Sequence, residues 1–359
     1  MKHSYLLLLL AFALACCDNN DPEDDPMVDT RYSAQLPQLV NNYVTPELDA
    51  TVDEVEALRV SAEVFDLNLD QASLDAFQAQ LKEARLQWQR ISFLWFGPGD
   101  EQNTVREVNT FPADVMAVSA HADEGSTGGE GLDEKGFCAI GWMIHHADDQ
   151  SILDYYIDDS FGASRRAHLL HLVNEVESAI GNLNQAWDNG FDDTFSTATG
   201  SSVGSGMSLY HNGLTRDYEN LKREKIALPL GLLTLDIPLP DKVEAYYAGY
   251  SVELALAHLA STRDALTAND TGGIMALIDE FGAFHSPSNQ DLSDAILEQL
   301  DAAKAALELV PDPLSGTIES DPAMVQSAYD ELQAAVVLLK IDLTSALDVS
   351  ITYTDTDGD

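Results

Sequence analysis

Basic residues, cysteines and long apolar runs are all scarce in this chain of 359 residues. It has 18 Lys+Arg against 61 Asp+Glu, a formal net charge of −43. Phosphate contacts need clusters of Lys and Arg, so the imbalance argues against a nucleic acid partner and against attraction to anionic lipid. An acidic surface by itself describes solubility or salt adaptation, not a cation site. Of three cysteines, only Cys138 lies beyond residue 17. That leaves no partner for an intramolecular disulfide downstream and no Cys-rich zinc site. The main apolar run, residues 6–15, is too short for an ordinary spanning helix, which needs about 20 residues. What is present is 45% apolar residues, enough for real cores and against a wholly disordered chain. At roughly 150 residues per domain, the length suggests two.

The apolar run follows Lys2 and His3 and ends in Leu14-Ala15-Cys16-Cys17, which reads as a secretory leader. The junction resembles a bacterial lipobox, in which the cysteine after the cut is diacylated. Cys17 has Leu14 at −3 and Ala15 at −2; Cys16 fits the alternative register. Residues 18–26, DNNDPEDDP, carry five acids and no apolar residue except proline, as a solvated tether would. The expectation is a protein held at a membrane by its lipid anchor only.

Beyond residue 30 the apolar residues recur at steps of three and four, the signature of amphipathic helices. Leu36, Leu39, Val40, Tyr43 and Val44 form one stripe; Val52, Val55, Leu58, Val60 and Val64 form a less regular one. Leu74, Phe77, Leu81, Trp88, Ile91 and Trp95 form a third, with Arg85 the one exception on its face. Asp70 or Ser73 can cap that helix, and Gly97-Pro98-Gly99 must end it. Helical spacing returns over 137–156, 167–187, 209–226, 243–267, 273–281, 291–309 and 322–347. The predicted fold is all-α, two antiparallel helical bundles. The predicted organisation is a leader (1–17), a tether (18–30), an N-terminal bundle (31–190), a Gly/Ser/Thr-rich linker (191–206), a C-terminal bundle (207–350) and an acidic tail (351–359).

Four segments, taken in order, resemble the imelysin family of periplasmic or surface bacterial proteins. Trp88 to Gly97, WQRISFLWFG, is similar to a Trp helix ending in a Phe-x-Phe-Gly turn. Val108-Asn109-Thr110-Phe111-Pro112-Ala113-Asp114 is similar to a Val-Asn-x-aromatic-Pro-x-Asp element. Gly136-Phe137-Cys138-Ala139-Ile140-Gly141-Trp142 keeps the frame of the family's Gly-x-His-x-x-Glu signature. The stretches 225–231 and 244–254 fall at the family's second-half helices. The resemblance implies two helical bundles from an old duplication, with a cleft between them. It also implies either metallopeptidase activity or a role in iron uptake, often as a lipoprotein.

The signature has, however, lost its chemistry. His and Glu three apart share a helix face and can meet one metal. Here Cys138 stands at the His position and Gly141 at the Glu position, and a third family acid falls on Ser92. Glycine offers no ligand atom and costs about 1 kcal/mol against alanine inside a helix, which suggests that something needs the space. One thiol and one hydroxyl suit hard iron poorly. The expected cleft is lined by Trp88, Ser92, Asp114, Trp142 and Glu244, with Gly136, Cys138 and Gly141 as the signature positions. No catalytic residue and no cofactor are expected.

Displaced ligands for zinc or iron would come from His145 and Asp149, at i and i+4 if the helix continues, or from His168, His171 and Glu175. Histidines on acidic helices are common without metal. Cys138 lies among apolar residues in an acidic chain, the opposite of what an activated thiolate needs. Three functions compete. The first is a non-catalytic envelope lipoprotein, facing periplasm or cell surface, that binds a ligand or protein partner in the cleft and serves iron uptake. The second is a metallopeptidase with displaced ligands. The third is an acidic adaptor of the cell surface.

Overall fold

The computed structural model describes residues 29–353. The readings made for residues 1–28 and 354–359 lie outside them, including the leader, Cys16 and Cys17, nearly all of the tether and most of the tail. Among the described residues the protein is helical apart from a two-residue ladder, Phe284–His285 against Gln290–Asp291.

Local chemistry sets where helices start. α1 (Thr45–Asn68) closes on Leu69 in the left-handed region, and α2 (Gln71–Trp88) begins two residues later. Asp70 and Ser73 act together there: Asp70 Oδ1 accepts the Ser73 amide, and the Asp70 amide donates to Ser73 Oγ. This tight reversal lays α2 back along α1. Short α3 (Thr104–Asn109), α4 (Val115–Glu124), α5 (Gly136–His145) and α6 (Asp149–Ile157) then wrap around α7 (Gly162–Ala186), the spine of the first half. The second half begins with α8 (Gly206–Asn220), which runs into a π-helical turn, Leu221–Ala227. α9 (Ser251–Thr267), α10 (Leu292–Glu308) and α11 (Pro322–Val337) complete it, α10 packing on both neighbours.

The two halves share one hydrophobic core. Tyr43 of the first half, Phe93 of the turn after α2 and Tyr210 of α8 form a buried aromatic chain, with centroids 5.9 and 5.1 Å apart. Phe96 stacks on Phe195 at 5.9 Å, and α9 packs against α2. No helix among the described residues is long and apolar enough to cross a membrane.

Several boundaries differ from the sequence reading, each for a local reason. α2 ends at Trp88, nine residues before Gly97, and turns carry the chain through Ser92. The expected 137–156 helix breaks after His145, because extended Asp148 caps a new helix through the Ser151 amide. Residues 243–250 are turns rather than the start of α9, and Gly249 takes φ +74° there. The expected linker contains a helix, Asp192–Thr197. In α1 the buried apolar positions are Leu48, Val55, Leu58, Ala62 and Phe65; Val60 and Val64 face solvent.

The core residue Phe77 is fully buried and stacked on Phe65 with centroids 6.0 Å apart. Phe77→Ala should lower unfolding free energy in chemical denaturation by about 3–5 kcal/mol. Val64→Ala, on the exposed face of α1, should change it by no more than about 0.5 kcal/mol.

Candidate functional site

The site grows from the exception on the apolar stripe of α2. Arg85 is only 1% exposed, on the same helix face as Leu81 and Trp88. Opposite it, α5 presents Cys138 and Gly141. A Cβ built on Gly141 would stand 3.3 Å from Arg85 Nη1, so the missing side chain makes room for the guanidinium. Gly136, which opens α5, has φ +75°, and a Cβ there would meet Val108 O at 2.4 Å. Only glycine lets α5 start this close to α3. Arg85 Nη2 donates to the main-chain oxygen of Glu244 at 2.9 Å and lies 3.6 Å from Cys138 Sγ. The thiol donates to that same Glu244 oxygen at 3.3 Å.

The Glu244 carboxylate points elsewhere, into a buried network that joins the two halves. Lys225, from the π-helical turn, sits 2.9 Å from Oε2. Asn109 at the end of α3 donates to Oε1 at 2.7 Å, and Gln89 donates to it at 3.2 Å. Lys225 also donates to Gln89 Oε1 at 2.6 Å, which closes the triangle. Burial alone would push the Glu244 carboxyl up, but Lys225, Arg85 and the Asn109 amide outweigh it and hold it at about 2. Burial pushes the Cys138 thiol up to about 11 against the opposing pull of Arg85, so it is a neutral thiol at physiological pH.

A second node lies one turn along. Asp217 of α8 accepts from Ser92 Oγ at 2.6 Å and pairs with His258 Nε2 of α9 at 2.9 Å, and Trp95 Nε1 donates to its other oxygen at 3.4 Å. Burial would raise the Asp217 carboxyl; His258 and Ser92 hold it below the usual carboxylate range.

These two nodes divide the expected cleft in two. A cavity of about 410 Å³ opens over Arg85, Cys138, Gly141, Trp142, Asp114 and the main chain around Glu244. A smaller one of about 160 Å³ touches Trp88, Ser92, Trp95, Asp217 and His258. Asp114, Trp142 and Glu244 therefore belong to the first, and Trp88 and Ser92 to the second. Trp88 is a core residue, 1% exposed, edge-on to Phe137. Asp114 caps α4, accepting the amides of Met116 and Ala117 at 3.1 Å. Gln89, Asp217 and His258 were not singled out from sequence. Each is a lone polar residue whose partner lies on a distant segment, and no spacing rule marks it.

Zinc or iron, which the family resemblance implies, does not fit the signature positions. Cys138 is a hydrogen-bonded neutral thiol, Gly141 supplies no donor, and the Arg85 cation occupies the space between them. Of the displaced candidates only His168 and His171 come together, with centroids 6.1 Å apart and both near Glu130, and the remaining ones lie apart. His145 ends α5 while Asp149 opens α6, and Asp149 accepts from Gln71 at 2.8 Å. Burial, reinforced by Arg85, lowers His145 to about 4, so it is neutral. His171 faces Glu130 at 3.4 Å, His168 Nδ1 contacts Ser126 O at 2.8 Å, and Glu175 lines a separate groove with Glu107 and Lys135. Among the described residues no three His, Cys, Asp or Glu side chains form a group able to hold a metal ion.

The folded Glu244 carboxyl lies below its ordinary value of 4.5, so its contribution to stability is complete above that pH and is lost as pH falls toward about 2. Glu244→Gln leaves the Lys225 ammonium buried without its counter-ion. At neutral pH it should cost about 3–5 kcal/mol in chemical denaturation. The variant's stability should also vary less with pH between 4.5 and 2 than that of the native protein.

The sequence matches the family model described as Imelysin, Peptidase M75, over residues 44–342. Among curated proteins, none matches this chain. Solved structures share the fold, among them two crystal structures. An imelysin-like protein from Psychrobacter arcticum 273-4 superposes with a TM-score of 0.71 at 19% identity, over 90% of this chain and 97% of that one. A putative iron-regulated protein A precursor from Parabacteroides distasonis ATCC 8503 superposes with a TM-score of 0.72 at 14% identity, over 89% and 95%. With its signature frame, its paired helical halves and a model match across most of its length, this chain belongs to the imelysin family.

Proposed function

We propose that this protein is a non-catalytic, lipid-anchored imelysin of the bacterial cell envelope that binds a small ligand in the cavity over Arg85. One observation carries the reading: a buried arginine stands where the signature would gather its metal ligands. A guanidinium at that point repels a metal cation, and the neighbouring thiol has no base and no activated state. The cavity persists beside these changes and keeps Trp142, Tyr246 and Tyr247 on its walls. A space of about 410 Å³ falls in the range typical of small-ligand sites.

The envelope location rests on the leader, the Cys16-Cys17 junction and the acidic tether. The iron link is drawn from family membership and from the printed description of the Parabacteroides structure. Among the described residues no group of three His, Cys, Asp or Glu side chains speaks for the metallopeptidase alternative.

Protein purified without added metal should hold well under 0.1 equivalent of zinc or iron by elemental analysis, and should leave unfolded casein intact with or without chelator. Near-stoichiometric metal together with chelator-sensitive cleavage would overturn the non-catalytic reading. In the native host, a deletion strain should grow more slowly than its parent under iron limitation. Replacing both Cys16 and Cys17 by Ala should release the protein into the soluble fraction; unchanged growth on deletion counts against the iron role, and unchanged membrane retention against the anchor.

A further inference from the structure

Arg85 is a buried cation without an anion. Its five N–H groups are served, among the described residues, by one main-chain oxygen and one weakly accepting thiol, both through Nη2. Nε has no partner. The one buried carboxylate nearby, that of Glu244, is taken up by Lys225, Asn109 and Gln89. Tyr250 stands with its ring centroid 5.5 Å from the guanidinium carbon, and its hydroxyl lies beside the guanidinium as a weak neutral partner, outside good hydrogen-bond geometry. The chain has 61 acids, yet among the described residues none forms an ion pair with Arg85, and the Glu244 carboxylate acts on it only across a distance. Buried guanidinium groups are ordinarily paired, and leaving one unpaired costs several kcal/mol.

The guanidinium also has an opening. Arg85 lines the 410 Å³ cavity, and the wall on its Nη1 side is Gly141, which has no side chain to cover it. Around the rest of the cavity the charges are arranged differently. Lys242 is neutralised by Asp241 at 3.1 Å. Asp114 and Asp133 stand exposed at the mouth. Trp142, Tyr246 and Tyr247 supply the apolar surface. The floor is thus positive, the mouth negative and the walls aromatic.

Resting on the reading of this cavity as a ligand site, we propose that its ligand is a small zwitterion of the amino-acid type. Its carboxylate sits on Arg85, its ammonium faces Asp114 and Asp133, and its side chain lies against Trp142 and the two tyrosines. A carboxylate matches the planar fork of a guanidinium and satisfies the donors that the protein leaves open. The acidic mouth disfavours ligands with two or more negative charges and excludes phosphates on the same ground.

The experiment is calorimetric titration of the mature chain with the individual amino acids. Each that binds is then compared with its decarboxylated amine and its deaminated acid, and native mass spectrometry identifies any molecule retained on purification. At least one amino acid should bind saturably. Loss of its carboxylate should weaken binding roughly a hundredfold, the scale of a charge-assisted hydrogen-bond pair. Arg85→Met should do the same to the intact amino acid, and Asp114→Asn together with Asp133→Asn should bring the amino acid down to the level of the deaminated acid. Because Arg85 makes no direct ion pair, its methionine variant should still fold, with a melting temperature lowered by the loss of its pull on the Glu244 carboxylate and of its bond to the Glu244 main-chain oxygen. Should it not fold, Gly141→Ala, which crowds Nη1, should weaken binding about tenfold without loss of fold. Equal binding of the amine, or full affinity in the arginine and glycine variants, overturns the carboxylate assignment and leaves the cavity as a site. A retained molecule without a carboxylate does the same. No binding by any amino acid and no retained molecule overturn both.

Discussion

Two charges buried out of reach of water, Lys225 and Glu244, form the constraint around which the interface between the halves is arranged. Neither could be buried alone, since an isolated ion in a protein interior costs several kcal/mol. Both come from the C-terminal half, and the groups that complete their hydrogen bonding, Gln89 and Asn109, come from the N-terminal half. The pair is fully satisfied only when the halves are docked in register. Asp217 and His258 repeat the pattern with Ser92 and Trp95. Each node is a polar lock between surfaces that are otherwise apolar, and apolar contact alone does not fix register this narrowly.

Cys138 and Gly141 follow from the same arrangement. Once Glu244 is committed to Lys225, its main-chain oxygen is free to receive Arg85 and the Cys138 thiol. A carboxylate at position 141 would compete with Glu244 for that cation and would have to occupy the volume now held by the guanidinium. The thiol at 138, the glycine at 141 and the buried arginine thus form one chemical unit, in which the first two leave room for the third.

Much of the fold was legible in the sequence because helical periodicity and caps are local. Asp70 and Ser73 marked the start of α2 correctly, and the all-α class followed from the stripes. What was illegible was set by turns and by contacts distant in sequence. The break after His145 depends on Asp148 adopting an extended backbone, which the apolar pattern through 137–156 conceals. Val60 and Val64 read as core because a valine carries no sign of which way its helix is rotated. In the site, Arg85 stood out as a misfit on an apolar face, and Glu244 lay in a recognised segment, yet nothing in either pointed to Lys225 or Gln89. The misfit was the most informative residue in the chain, as expected where local rules give way to function.

The aromatic chain from Tyr43 through Phe93 to Tyr210 has a mechanical meaning. It passes through the plane between the halves, so opening them like a book would strip three large rings of their neighbours at once. The shared rings therefore oppose any parting of the halves, and the cavity opens to solvent at its own mouth, beside the turns at 244–248. The exposed loop Ser202–Gly204 between them is a covalent convenience. A protease that cuts there produces two chains that stay together as one particle until a denaturant dissolves the shared core.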